Sequence, residues 1–280
     1  AQTDPAGAIT AWRLRAALPA TTSECAARLL GGATRAQALA RQADGPDALA
    51  LEGAVPPYAI AHLAVEHVPV AVGLPTGRLR GNAHGYTAFF TECFLDELAA
   101  SLAREPLSYR MAMLDGDARL AQCLQRVSAL AGWNGGHDGS GQGLACHRIG
   151  EGCIAAIATV RRSDAGVEVN RIVAVADIGR IVHADIARQQ IEGGLIYGIG
   201  LALGSAGGWA QGLPQARRLA DMALPVLANC PEVSVELVAA SGDPADPGEL
   251  GVAVAAPAIA NALFSATGLR YRRLPLGSEE

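Results

Sequence analysis

The sequence predicts an α+β fold of mixed sheets with packed helices, and three observations predict it. Two extended runs rich in β-branched residues, Gly152 to Arg161 and Val167 to Asp177, are joined by Ser163-Asp164-Ala165-Gly166, a stretch with turn chemistry, so they read as a hairpin. Other segments place apolar residues at three- and four-residue intervals, the period of a helix with one buried face. Strands and helices mixed in this order imply layers of both.

Taken in chain order, the first sixty residues alternate short apolar pieces such as Ala8-Ile9-Thr10-Ala11-Trp12 with turn-formers and read as strands and loops, without a long helix. From Ala88 to Ala103 the spacing of Phe89, Phe90, Cys93, Phe94, Leu98 and Leu102 predicts a helix that buries that stripe. A second helix lies between Asp117 and Trp133, with Leu120, Cys123, Leu124, Val127 and Ala131 on one face. After the hairpin, Asp185 is expected to cap a helix running through Leu203. Val233 to Ala239 alternates as a half-buried strand. Pro257 suits the first turn of a last helix, and Gly268 the position just past its end. Residues 1–75 thus form a strand- and loop-rich segment packing on, or continuous with, an α+β core of residues 76–280.

A chain of 280 residues can bury a substantial core. Half of it is hydrophobic and only 18% is charged, but 4% is aromatic and 33 residues are glycine, so the core is expected to consist of small, closely packed elements. The net charge of −5 comes without a run of basic residues able to neutralise a row of phosphates, which argues against a nucleic-acid partner. The opening AQTDPAGAIT has no basic stretch followed by an apolar one, so no signal peptide is expected. The longest uncharged stretch, Gly193 to Ala216, is interrupted by Gln211 and Pro214 and its apolar part is too short to span a bilayer. Six cysteines without a C-x-x-C pair support neither a zinc site nor an iron–sulfur cluster held by this chain. Reduced structural thiols and a cytoplasmic location are the expectation, with the periplasm open to a protein exported folded.

Few polar residues point to chemistry by themselves. The six histidines never stand as H-x-x-x-H, so no protein-ligated metal is expected. Asp96 and Glu97, adjacent on a predicted helix, read as a solvated face and not as an acid–base pair. Gly139 to Gly143 (GSGQG) lacks the lysine of a phosphate loop and reads as a turn before a strand near Leu144. Glu249 differs: it lies in Pro247-Gly248-Glu249-Leu250-Gly251, where glycines permit close backbone approach. A carboxylate there suits a desolvated general base, its pKa raised by apolar neighbours such as Leu250 and Val252, although a turn glutamate is the alternative.

Three longer stretches carry a resemblance. TGRLRGNAHGYTAFFTECFLDELA, Thr76 to Ala99, resembles a segment in which T-G-x-W-R precedes F-x-x-E-x-F-x-D-E-L-A. ADIGRIVHADIARQQIEGGLIYGIGLAL, Ala176 to Leu203, resembles D-x-G-x-x-x-N-P-x-x-x-x-x-Q-x-x-G-G-x-x-x-G-x-G. PGELGVAVAAPAIANALFSATGLRYRRLPL, Pro247 to Leu276, resembles G-E-P-G followed by A-P-A-x-x-N-A-x-x-x-A-T-G-x-R and L-P-L. By these the chain is similar to the carboxyl-terminal half of the molybdopterin-binding large subunit of the molybdenum hydroxylases, the xanthine dehydrogenase and aldehyde oxidase family, and most similar to its isoquinoline 1-oxidoreductase beta-subunit branch.

The resemblance implies an oxidoreductase of a bacterial multi-subunit complex that hydroxylates an N-heteroaromatic or oxidises an aldehyde with water as oxygen source. Residue by residue, Glu249 matches the base, Arg80 an arginine near the substrate, and Gln190 the glutamine that hydrogen-bonds the pterin, with Gly193 and Gly194 letting backbone come close to it. The implied cofactor is molybdopterin, as the cytosine dinucleotide, with molybdenum held by the pterin dithiolene and by no side chain. The implied partners are a second chain supplying the amino-terminal half, whose glycine-rich cofactor loops have no counterpart here, and a small subunit carrying [2Fe–2S] clusters. His183-Ala184 stands where the pattern has N-P, Leu79 where it has tryptophan, Leu250 where G-E-P-G has proline, and Gln215-Ala216-Arg217-Arg218 where it has Q-S-N-F. These departures bear on pocket shape and leave a non-catalytic fragment or an assembly and binding module as the alternative.

Overall fold

In the computed structural model, which describes residues 1–163 and 166–276, a four-stranded sheet is clasped between helices on both faces and a smaller sheet sits on the amino-terminal side. The chain runs β1 (Gln2–Thr3), β2 (Ile9–Leu18), α1 (Thr21–Leu29), α2 (Arg35–Ala40), β3 (His62–Pro69), α3 (His84–Ser101), α4 (Pro106–Met111) and α5 (Ala118–Ala131). Then follow β4 (Gln142–Ile149), β5 (Gly152–Ser163), β6 (Gly166–Asp177), α6 (Ala184–Leu203), β7 (Trp209–Ala210), β8 (Leu213–Pro214), β9 (Glu232–Leu237) and α7 (Leu250–Thr267). The expected mixture of strands and helices is therefore present.

The main sheet has the order β4-β5-β6-β9. β4, β5 and β6 are antiparallel neighbours, while β9 joins β6 in parallel, with the crossover running through α6. β5 and β6 pair as the expected hairpin; the two central residues of its predicted turn lie outside the described residues. Period-2 alternation sends Ile154, Ala156 and Ala158 toward α7, and Cys153, Ala155 and Ile157 toward α5. Both faces are buried, which explains why these strands read as nearly unbroken apolar runs. The small sheet, ordered β1-β2-β3, packs through Ile9 and Trp12 on the α3, α4 and α5 side.

Small side chains set the spacing, as the composition predicts. Alanines of β4 and β5 form the floor under α7, and a Cβ on Gly143 would overlap the backbone of Ala258 and Ala262. Asn261 Nδ2 donates to the Leu144 carbonyl at 3.0 Å and Ser265 Oγ to that of Gln142 at 2.8 Å, tying α7 to β4. With a mean hydropathy of 1.6, α7 is long and apolar enough to cross a membrane, but 83% of it is buried inside the protein, as a core helix requires.

Where α6 crosses α7, Gly194 and Gly251 meet backbone to backbone. A Cβ on Gly251 would lie 2.6 Å from the amide nitrogen of Leu195 and closer still to the carbonyl of Ile191. Gly251→Ala must therefore push the two helices apart, and a loss of about 1–3 kcal/mol in urea unfolding is expected. Gly207→Ala, at a position with open space, is the control and should change nothing.

Several expectations need correction. The first sixty residues hold two short α-helices and two 3-10 turns. The buried side of α1 is Glu24, ion-paired with Arg28, so it has no apolar stripe to read; Arg28, with the help of Thr76, lowers the Glu24 carboxyl to about 2 against the cost of burial. α2 is announced by the reciprocal cap of Thr34 and Gln37. In α3 the buried face is His84, Thr87, Ala88, Thr91, Glu92, Leu95 and Ala99, together with Phe89 and Asp96, while Phe90 and Phe94 are exposed. Asp96 is thus not solvated: it is buried and paired with Arg270, and Glu97 pairs with Arg272 at the surface. α6 is capped by His183, whose Nδ1 accepts from Ile186 N at 3.3 Å, and Asp185 sits in the first turn paired with Arg188. α7 begins at Leu250, so Pro257 lies inside it, where its missing N–H forgoes one helical bond in a segment held by packing. α5, by contrast, follows expectation, with Asp117 as its cap and Gly132 in the left-handed conformation at its end.

Candidate functional site

Three segments distant in sequence meet at one edge of α6 and α7: the turn before α3, the second turn of α6, and the start of α7. Arg80 binds them together. Its Nε donates to the Gly248 carbonyl at 3.0 Å, and NH2 donates to the Gln190 carbonyl at 2.8 Å and to the Gln190 side-chain oxygen at 3.3 Å. The next residue, Gly81, donates its N–H to Glu249 Oε2. Gly81 has φ +93° and a Cβ there would overlap the Val252 side chain, so this turn requires glycine on both counts.

Glu249 is half-buried and is the residue immediately before α7, where the partial positive charge of the helix terminus favours an anion. Its surroundings are thus a backbone amide and a helix end as well as the buried Leu250 and Val252. Leu250 occupies the first helical position, the one that also suits the proline of G-E-P-G, so this departure leaves the helix start in place. The same holds for His183-Ala184: N-P supplies an asparagine cap and a proline at the first turn, and here His183 does the capping.

Of the residues expected in the site, Glu249, Arg80, Gln190 and Gly193 come together. Gln190 is exposed apart from its contact with Arg80, and a Cβ on Gly193, one turn further, would stand 3.4 Å from Arg80 NH1. Gly194 is buried and turned toward Gly251 of α7. A cavity of about 330 Å³ lies beside the cluster, walled by Arg78, Arg80, Tyr86, Gly198, Leu201 and Val252 among others; Glu249 and Gln190 are outside its lining. Among the described residues no group of three or more histidine, cysteine or acidic side chains is placed to hold a metal ion.

Sequence reasoning missed a buried histidine pair three residues beyond Gly81. His84 Nδ1 and His147 Nε2 are 2.9 Å apart, joining α3 to β4 under Gly53, whose Cβ would overlap both rings. No spacing rule links positions 84 and 147; only the fold does. Burial, with the nearby His84, pushes His147 from 6.5 to about 3. Burial lowers His84 as well, against the opposing charges of Glu52 and Glu249. In the unfolded chain both imidazoles take up protons near their ordinary value, so the unfolded state binds more protons at acid pH. The pair's stabilising effect is complete above pH 6.5 and is lost as pH falls toward 3. At about 1.4 kcal/mol per pH unit for one histidine, roughly 2 kcal/mol should be lost between pH 6.5 and 5, before the carboxylates with lowered values protonate. Urea unfolding across that window tests this: His147→Leu should flatten the slope, and an unchanged slope would place the dependence elsewhere.

The family described as molybdopterin cofactor-binding domain matches residues 119–231. Among characterised proteins, the membrane-bound aldehyde dehydrogenase [pyrroloquinoline-quinone] of Gluconacetobacter polyoxogenes is 29% identical over 223 residues, which are 71% of this chain and 29% of that protein. The isoquinoline 1-oxidoreductase subunit beta of Brevundimonas diminuta is 30% identical over 206 residues, 71% of this chain and 26% of that protein. The chain therefore spans little more than a quarter of the length of these relatives. Among solved structures, the aldehyde oxidoreductase of Desulfovibrio gigas superposes with a TM-score of 0.65 at 16% identity, covering 84% of this chain and 45% of that one, a likeness of fold.

Proposed function

From the premise that the chain belongs with the molybdopterin-binding large subunits of the molybdenum hydroxylases, we propose that it forms one wall of a molybdopterin site in an oxidoreductase that hydroxylates an N-heteroaromatic or oxidises an aldehyde, taking oxygen from water. The observation that supports this most is the Arg80 bridge, which brings Gln190 and the Glu249 turn into one cluster.

The donor set fits the cofactor. Gln190 offers an exposed amide, a donor and an acceptor in one plane, beside the side-chain-free Gly193, which suits the hydrogen-bonding edge of a pterin. The dithiolene holds the metal, so no histidine or cysteine cluster is required. When bound, the cofactor supplies the two-electron oxidation and the activation of water. The chain's residues do the rest: Gln190 holds the pterin, Arg80 steers the substrate while fixing Gln190, and Glu249 accepts a proton on its carboxylate. Gly81 engages Oε2, which assigns the proton to Oε1.

A second polypeptide completes the site with the remaining cofactor loops, the pterin is the cytosine dinucleotide, and electrons leave to a [2Fe–2S] subunit. Coexpression with that polypeptide tests the reading. The purified complex is expected to contain molybdenum and pterin, and Gln190→Ala to lower the content of both several-fold. A stable complex without metal and pterin would overturn it.

A further inference from the structure

The 204–231 segment, between α6 and β9, presents large apolar side chains to solvent in an unusual concentration. Leu227 is 93% exposed, and Trp209, Leu213, Leu219, Leu224 and Val226 are between 40% and 71% exposed. Isolated exposed leucines need no explanation, but a cluster of this size on one segment marks an interaction surface.

Its position says what covers it. The segment folds back on α6, with Pro225 against Gly200, and near its start Ser205 and Ala206 line the 330 Å³ cavity that Arg80 also lines. Ser205 Oγ is buried there without a hydrogen-bond partner. The segment that carries the apolar surface thus begins at the cavity beside the candidate site. Charge points the same way: Arg217 and Arg218 are exposed and Asp221 is the single acidic residue of the segment, in a chain of net charge −5. The relatives carry roughly three quarters of their length outside the matched part, and the aldehyde oxidoreductase holds this fold unit within a chain about twice as long.

We propose that residues 204–231 and the adjoining cavity are the docking surface for the polypeptide that completes the cofactor site, which would offer an apolar pocket edged by carboxylates. This rests on the function proposed above. A membrane is the less favoured occupant because a loop lying in lipid would not also wall a cavity shared with Arg80.

Coexpression of the chain with the polypeptide carrying the remaining cofactor loops, followed by titration of the purified partners, tests the assignment. The wild type is expected to form a one-to-one complex with hydrogen-exchange protection over 205–231. Trp209→Ser combined with Leu227→Ser, both on exposed side chains, is expected to weaken it at least ten-fold, with the circular dichroism of the free chain unchanged. A complex of unaltered affinity in the double variant, without protection over 205–231, overturns the docking surface and leaves the proposed function standing. No complex in the wild type removes both. Self-association of the wild type alone, or its sedimentation with phosphatidylglycerol vesicles, overturns the assignment if the same double variant abolishes it.

Discussion

Arg110→Ala is expected to cost about 3–5 kcal/mol of stability, the largest effect of any single substitution considered for this fold. Arg110 is fully buried in α4, with Nε 2.9 Å from Glu92 Oε2, NH2 3.1 Å from the Glu92 carbonyl and NH1 3.6 Å from Asp96. Glu92 is equally buried and also receives the Tyr58 hydroxyl at 2.7 Å and the Cys146 amide at 2.9 Å. Burial opposes the charge on Arg110, yet the carboxylates of Glu92 and Asp96 raise its pKa well above the ordinary value. Removing the guanidinium leaves Glu92 with its full desolvation cost and without its counter-charge. The diagnostic comparison is Glu92→Gln combined with Arg110→Met, which removes both charges at similar volume. That double variant should recover most of the loss, since a buried pair adds little net stability over neutral packing. Urea midpoints at constant m-value measure both, and a double variant no more stable than the single one would show that shape at this site matters more than charge.

The same network shows why part of the fold was illegible in the sequence. α5 and the hairpin could be read because each buries an apolar pattern of its own period, Leu120-Cys123-Leu124-Val127 in the one case and alternating Ile154, Ala156 and Ala158 in the other. In α3 the largest residues suggested a face with Phe90 and Phe94 inward, but the inward face is polar because Glu92 and Asp96 meet arginines 110 and 270 from elsewhere in the chain. Periodicity cannot announce a buried charge whose partner is supplied by tertiary contact. Proline misled in the same way: Pro257 belongs to a helix stabilised by packing on all sides, where the usual stop signal is overridden. Of the candidate site, the membership of Glu249, Arg80 and Gln190 came from motif resemblance. That Arg80 itself joins the other two, and that His84 meets His147, only the three-dimensional arrangement reveals.

Glu249→Gln tests the chemistry assigned to the cluster. Glutamine keeps the length and planarity of glutamate, and its carbonyl oxygen can still accept from Gly81 N–H, so the turn before α3 and the start of α7 should stay in place. Arg80 is held by the carbonyls of Gly248 and Gln190, neither of which the substitution alters. Stability, complex formation and content of molybdenum and pterin are therefore expected to match the parent within error. What glutamine cannot do is take a proton. General bases contribute on the order of 10²–10⁴ in rate, so turnover in the complex should fall about a hundred-fold or more, close to 3 kcal/mol of barrier. Glu249→Asp shares the carboxylate but shortens the reach, and an intermediate rate from it would tie the loss to proton acceptance at a fixed position. Full turnover in the glutamine variant would mean that the carboxylate serves only to hold the Gly81 turn, and the base would have to be sought on the partner polypeptide.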